Sequence, residues 1–232
     1  MNNKKTVILG LILTPVIFLV SVFTGMKILI DSELIPGSFM QHFLMLVLSC
    51  IAIWILQKDL NFHIALPRFT KIFKPFFIGV LIMLITNIPM TVITNLAGGK
   101  VGANPVLEEM NALQMFLFVF ILASIAEEFL FRGFLLNSLK PLKERGITIL
   151  KLRLSLPVII SACAFGLAHL ILFVAGADYM LVIKTVLFTF TLGMAAGYYQ
   201  EKYENNTAYA IIVHMGGDLI GVISLFIMHL LA

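Results

Sequence analysis

The stretch "ASIAEEFLFRGFL", Ala123 to Leu135, sets Glu127, Glu128 and Arg132 among residues that are otherwise small or oily. Further along, "AFGLAHL" carries Phe165 and His169, and "VHMGGD" carries His214 and Asp218, again within apolar runs. A charge at the centre of a bilayer costs roughly 2.5 to 3.5 kcal/mol on insertion scales, so such residues are as a rule paired, turned inward and functional. Glu128 and Arg132 are one helical turn apart, a spacing that suits an ion pair along one face. Glu127 points about 100° away around the helix, and the residue one turn on is Phe131. Its own helix offers it no counter-charge. A carboxyl of that kind, with imidazoles in reach, suits proton transfer to and from water.

The elements that must hold these side chains are membrane helices. The chain has 232 residues, of which 60% are hydrophobic and 12% charged, with a mean hydropathy of +1.05, which excludes water-soluble globular classes. At roughly 20 apolar residues per span, there is room for about seven helices and short loops. Apolar runs cover 6–30, 39–56, 75–96, 112–139, 156–174, 179–199 and 207–231. They lack the short alternating segments of a membrane barrel. The expected fold is therefore all-α, a polytopic transmembrane bundle in a single domain over 1–232. Within it, 1–111 form variable N-terminal helices and 112–232 the catalytic helix core. Counted from each span's midpoint at about 1.5 Å per residue, Glu127, His169, His214 and Asp218 all fall within roughly 7 Å of the mid-plane. Matching depth in three helices is what a shared site requires.

The net charge of +4 does not indicate nucleic acid, because the basic residues sit between spans. Lys4 and Lys5 precede the first span, Lys58, Arg68, Lys71 and Lys74 cluster before the third, and Lys140, Lys143, Arg145, Lys151 and Arg153 lie between the fourth and fifth. The segment after the first span, "DSELIPGS", is acidic. The positive-inside rule then places the N-terminus in the cytoplasm of a multi-pass cell-membrane protein. Other polar positions have plainer expectations. Glu108 and Glu109 fit the water-facing start of the fourth helix. His42, His63 and His229 read as boundary residues, Cys50 and Cys163 as small core residues, and "GMAAG" (Gly193, Gly197) as a close-packing face.

The order and spacing of Glu127-Glu128-x-x-x-Arg132, Phe165-x-x-x-His169 and His214-x-x-x-Asp218 resemble the CPBP family of intramembrane proteases, which includes the type II CAAX prenyl endopeptidases and bacteriocin-processing or self-immunity proteins. The resemblance runs from the fourth span to the end; the first three spans match only in being hydrophobic. It implies that Glu127 activates water, that His169 helps hold that water, and that His214 and Asp218 support the oxyanion. It implies too that Glu128 and Arg132, with Phe165, support the structure. Asparagine is the better oxyanion donor, so Asp218 in that role must be protonated, or must instead orient His214.

Glu127, His169 and His214 could alternatively bind zinc with an open water position. The chain lacks H-E-x-x-H, and the better-understood relatives work without metal, so no cofactor is the favoured expectation. The function expected is an intramembrane endopeptidase acting on a membrane-associated or lipid-modified peptide, with the lipid bilayer and a peptide substrate as partners. Water is expected to enter from the cytoplasmic side, by resemblance. The alternatives are a non-enzymatic bacteriocin immunity or scaffold protein, in which the polar set ties helices together, and a small transporter using Glu127 and the histidines as a proton relay. The residues do not specify an oligomeric state.

Overall fold

The computed structural model describes residues 3–231 apart from 29, 97, 99–103, 105–106, 108–109 and 150, and the side chains through 223. Among the described residues seven long helices follow one another: α1 (Asn3–Gly25), α2 (Phe39–Leu56), α3 (Phe73–Leu96), α4 (Ala112–Leu136), α5 (Leu156–Ala168), α6 (Tyr179–Lys202) and α7 (Thr207–Leu231). Six of the segments are long and apolar enough to cross a membrane among the described residues, α5 counting with the turn that extends it to Phe173; α7 qualifies as an apolar helix over Thr207–Ile223. Their bounds follow the apolar runs closely. The expectations for Glu108, Glu109 and the His229 side chain fall outside the described residues.

Helix starts are set by side chains that satisfy the free N–H groups of the first turn. Asn111 accepts from Gln114 N at 2.9 Å while Gln114 Oε1 accepts from Asn111 N at 2.9 Å, a reciprocal capping box at the head of α4. Gln114 Nε2 also donates to Glu33 O at 3.0 Å, tying that end to the segment between α1 and α2. Ser155 caps α5, and Asp178 caps α6 by accepting from Met180 N and Leu181 N. At the other end of the bundle, Asn205 takes the left-handed conformation (φ 59°), which asparagine tolerates better than most residues. Its Nδ2 donates to Asn61 O and Asn137 Oδ1, both at 2.6 Å, fastening three connecting segments together.

Between membrane helices there is no hydrophobic drive, so small residues that let backbones approach do much of the packing. On α7, a Cβ at Gly216 would strike Phe76 O, and on α3 one at Gly79 would strike Val213 O, so α3 and α7 lie backbone to backbone. Large apolar side chains such as Ile12, Trp54 and Ile88 point outward to lipid. The interior is built around Met45, Leu130, Phe134, Leu139 and Phe165.

Two local readings of the sequence are corrected. Gly146–Ile149 and Leu152–Ser155 form an antiparallel hairpin, β1 and β2, where a basic loop was expected. Cys50 and Cys163 are exposed on the outside of the bundle, where the surrounding lipid suits a thiol as well as a core would. α4 runs in π-helical turns over Met115–Ala123 and Phe129–Leu136, with an α-helical turn, Ser124–Glu128, between them. π-helical turns are often found at functional sites, and here they flank both glutamates.

Candidate active site

α4 supplies two adjacent carboxylates with opposite surroundings. Glu128 faces inward, and its Oε1 accepts from Arg132 NH1 at 2.9 Å, with both side chains wholly buried. The Arg132 guanidinium lies 4.5 Å above the Phe165 ring, and it fits because α6 presents Gly193 to it: a Cβ there would come within 2.5 Å of Arg132 NH2. The Arg132 carbonyl is held as well, accepting from Asn137 Nδ2 at 2.9 Å and Gln200 Nε2 at 3.2 Å. "GMAAG" is thus a packing face with a chemical purpose, since its first glycine makes room for a buried cation.

His214 of α7 joins the two carboxylates. Its Nδ1 lies 2.8 Å from Glu128 Oε1, and its Nε2 lies 3.8 Å from Glu127 Oε2 and 3.5 Å from Asp218 Oδ2. A carboxylate at Nδ1 takes the N–H there, which leaves Nε2 turned to Glu127 and Asp218. Asp218 also accepts from Ser124 Oγ at 3.1 Å. Glu128, then, is what orients His214 through Nδ1; Asp218 stands on the Nε2 side. His169, at the end of α5, donates from Nδ1 to Phe165 O at 2.9 Å, because a carbonyl only accepts. The Phe165 ring packs 5.1 Å from the His169 ring and 5.4 Å from that of His214, so one aromatic plate positions both imidazoles and Arg132.

Glu127, His169, His214 and Asp218 all line one cavity of about 300 Å³. Glu127 is 15% exposed within it, which is enough to meet water. No curated protein and no solved structure matches the chain, but a family model described as Rce1-like, type II CAAX prenyl endopeptidase Rce1-like, matches residues 109–220. Those residues belong to the Rce1-like family. The matched segment begins just before α4 and ends just past Asp218, and the chain that carries it is a multi-pass membrane protein.

The Rce1-like segment does not close the site alone. His42 of α2, expected at a membrane boundary, reaches in instead: its Nε2 lies 3.6 Å from Glu127 Oε1, and its Nδ1 donates to Ser38 O at 3.1 Å. Glu127, with no counter-charge along its own helix, therefore gains two imidazole neighbours from α2 and α7. Phe18 and Val22 of α1 also line the cavity, so its walls extend beyond the four later helices. Nothing around His42 in sequence marks it, since the contact joins residues far apart in the chain. Among the described residues, no three His, Cys, Asp or Glu side chains are grouped to hold a metal ion. His214 already commits Nδ1 to Glu128, and His169 commits Nδ1 to a carbonyl.

Proposed function

We propose that the chain hydrolyses a peptide bond of a membrane-associated or lipid-modified peptide, using a water activated by Glu127 and no metal. What supports this is the meeting of Glu127, His169, His214 and Asp218, from three helices, on one cavity. Glu127 removes a proton from water as the water oxygen attacks the scissile carbonyl carbon, and His169 helps to hold that water. The oxyanion that forms is met by His214 from Nε2, the nitrogen left facing the cavity once Glu128 has engaged Nδ1. When the carbon–nitrogen bond breaks, Glu127 returns its proton to the leaving nitrogen, and a carboxylate and an amine are released. Asp218, 3.5 Å from His214 Nε2, steers that ring and contributes to the oxyanion only when protonated.

A purely structural role, as in an immunity or scaffold protein, accounts well for Glu128 and Arg132, which are sealed from water. It gives no reason for Glu127 to face an open cavity. The deciding experiment is Glu127→Gln in purified, detergent-solubilised protein. Loss of a positioned general base should cost about 10²- to 10⁴-fold in peptide cleavage with the thermal unfolding midpoint unchanged; cleavage at the parent rate would refute the proposal. Chelators should leave the parent rate unaltered, whereas inhibition that zinc reverses would establish the metal alternative.

A further inference from the structure

The cavity at the site extends toward one end of the bundle, and the charge on the connecting segments bears on which side of the membrane that end faces. Beyond the polar cluster, its lining continues to Met26, Ser38, Gln41, Asn104 and Ala175, which belong to the connections α1–α2, α3–α4 and α5–α6 or their edges. In the opposite direction the site is stoppered. Ile53, Leu60, Leu130, Phe134, Leu135 and Leu139 pack into one buried cluster between the glutamates and the other end of the bundle.

At that stoppered end lie the α2–α3, α4–α5 and α6–α7 connections, held together through Asn205, Asn61 and Asn137. The first two of these carry the basic clusters, and α1 begins at this end too, after Lys4 and Lys5 and with Gly10 against Ser138. The open end carries Asp31, Glu33 and Asp178 with Lys27. Lys and Arg in short loops stay cytoplasmic, so a cytoplasmic N-terminus and a cavity that opens to the cytoplasm exclude each other in this fold.

We infer that the cavity opens on the extracytoplasmic face, and that its substrate is a hydrophobic peptide segment presented from that side, such as an exported or outer-leaflet-anchored precursor. The substrate half of this rests on the hydrolysis proposed above; the side of access does not. Phe18, Val22, Leu172 and Phe188 wall the cavity beside the acids and imidazoles, which favours an apolar side chain next to the cleaved bond.

The test uses the full chain in cells. In a Cys50→Ala, Cys163→Ala background, Leu34→Cys and Gln41→Cys report the open end and Lys143→Cys the stoppered end. A membrane-impermeant maleimide should label the first two in intact cells as fully as after permeabilisation, and should label Lys143→Cys only after permeabilisation. The reverse pattern overturns the inference. Repeating the labelling with Glu127→Gln added should change nothing, so the side of access is decided whether or not the chain proves proteolytic. For the substrate, a pool of hydrophobic peptides is added to sealed vesicles. Cleavage by right-side-out vesicles, lost in inside-out ones and regained with detergent, is the expected result. Cleavage by inside-out vesicles alone overturns the inference, and no cleavage even in detergent refutes hydrolysis itself while the labelling still stands.

Discussion

Glu127 and Glu128 are neighbours in the chain and opposites in the fold. Glu128 is fully buried, bonded to Arg132 and His214, and boxed in by Phe165 and Gly193. Glu127 is partly open, has imidazole nitrogens at 3.6 and 3.8 Å, and looks into a cavity. One residue type carries two tasks because a rotation of about 100° around one helix separates a dry pocket from a wet one. A buried cation suits Glu128 to be a strut, and solvent access suits Glu127 to the role of reagent proposed for it.

The sharpest way to break this contrast is to make the same change at both positions. Glu127→Gln should remove cleavage by about 10²- to 10⁴-fold and leave folding intact. Glu128→Gln should act first on stability and on the orientation of His214. Equal loss of activity and equal stability in the two variants would erase the distinction. Next in size is Arg132→Met, which leaves Glu128 as a buried, uncompensated charge and should cost about 3 to 5 kcal/mol. Adding Glu128→Leu to Arg132→Met should recover much of that stability, since apolar replacements of buried pairs are often neutral. Activity should stay low, because His214 would still lack its Nδ1 partner. Thermal melts and peptide cleavage on the same preparations separate the two readouts, and recovery of full activity in the double variant would show that Glu128 does not hold His214.

The contrast was largely legible in the sequence because it rests on local spacing. Glu128 and Arg132 pair within one helix, and the missing counter-charge beside Glu127 follows from Phe131 at the next turn. Depth along the spans brought His169, His214 and Asp218 to the same level, and the cavity joins them. What spacing could not supply is partnership across the fold. His42 meets Glu127 from α2, and Glu128 reaches His214 on α7, through packing that no repeat in the chain encodes. The hairpin was written more plainly. Ile147, Ile149, Leu152 and Leu154 alternate around Thr148 and Arg153, a strand period that the run of basic residues obscured. The inferred direction of access needed both sources, since the positive-inside rule assigns the sides and only packing shows which end is stoppered.

The smallest expected effect concerns His42, an imidazole that the N-terminal helices bring to the site. Phenylalanine at that position keeps a ring of similar size on α2 and removes both the Nδ1 bond to Ser38 O and the Nε2 contact with Glu127 Oε1. At 3.6 Å the contact with Glu127 is longer than a strong hydrogen bond, so His42→Phe should cost roughly 1 kcal/mol, several-fold in kcat. KM should hardly move, because the change acts on how Glu127 is aimed and leaves the apolar wall that would bind peptide in place. A loss as large as that of Glu127→Gln would make His42 a participant in the chemistry. An unchanged kcat would mean that His214 alone sets the orientation of Glu127, and would confine the working half of the site to the Rce1-like segment.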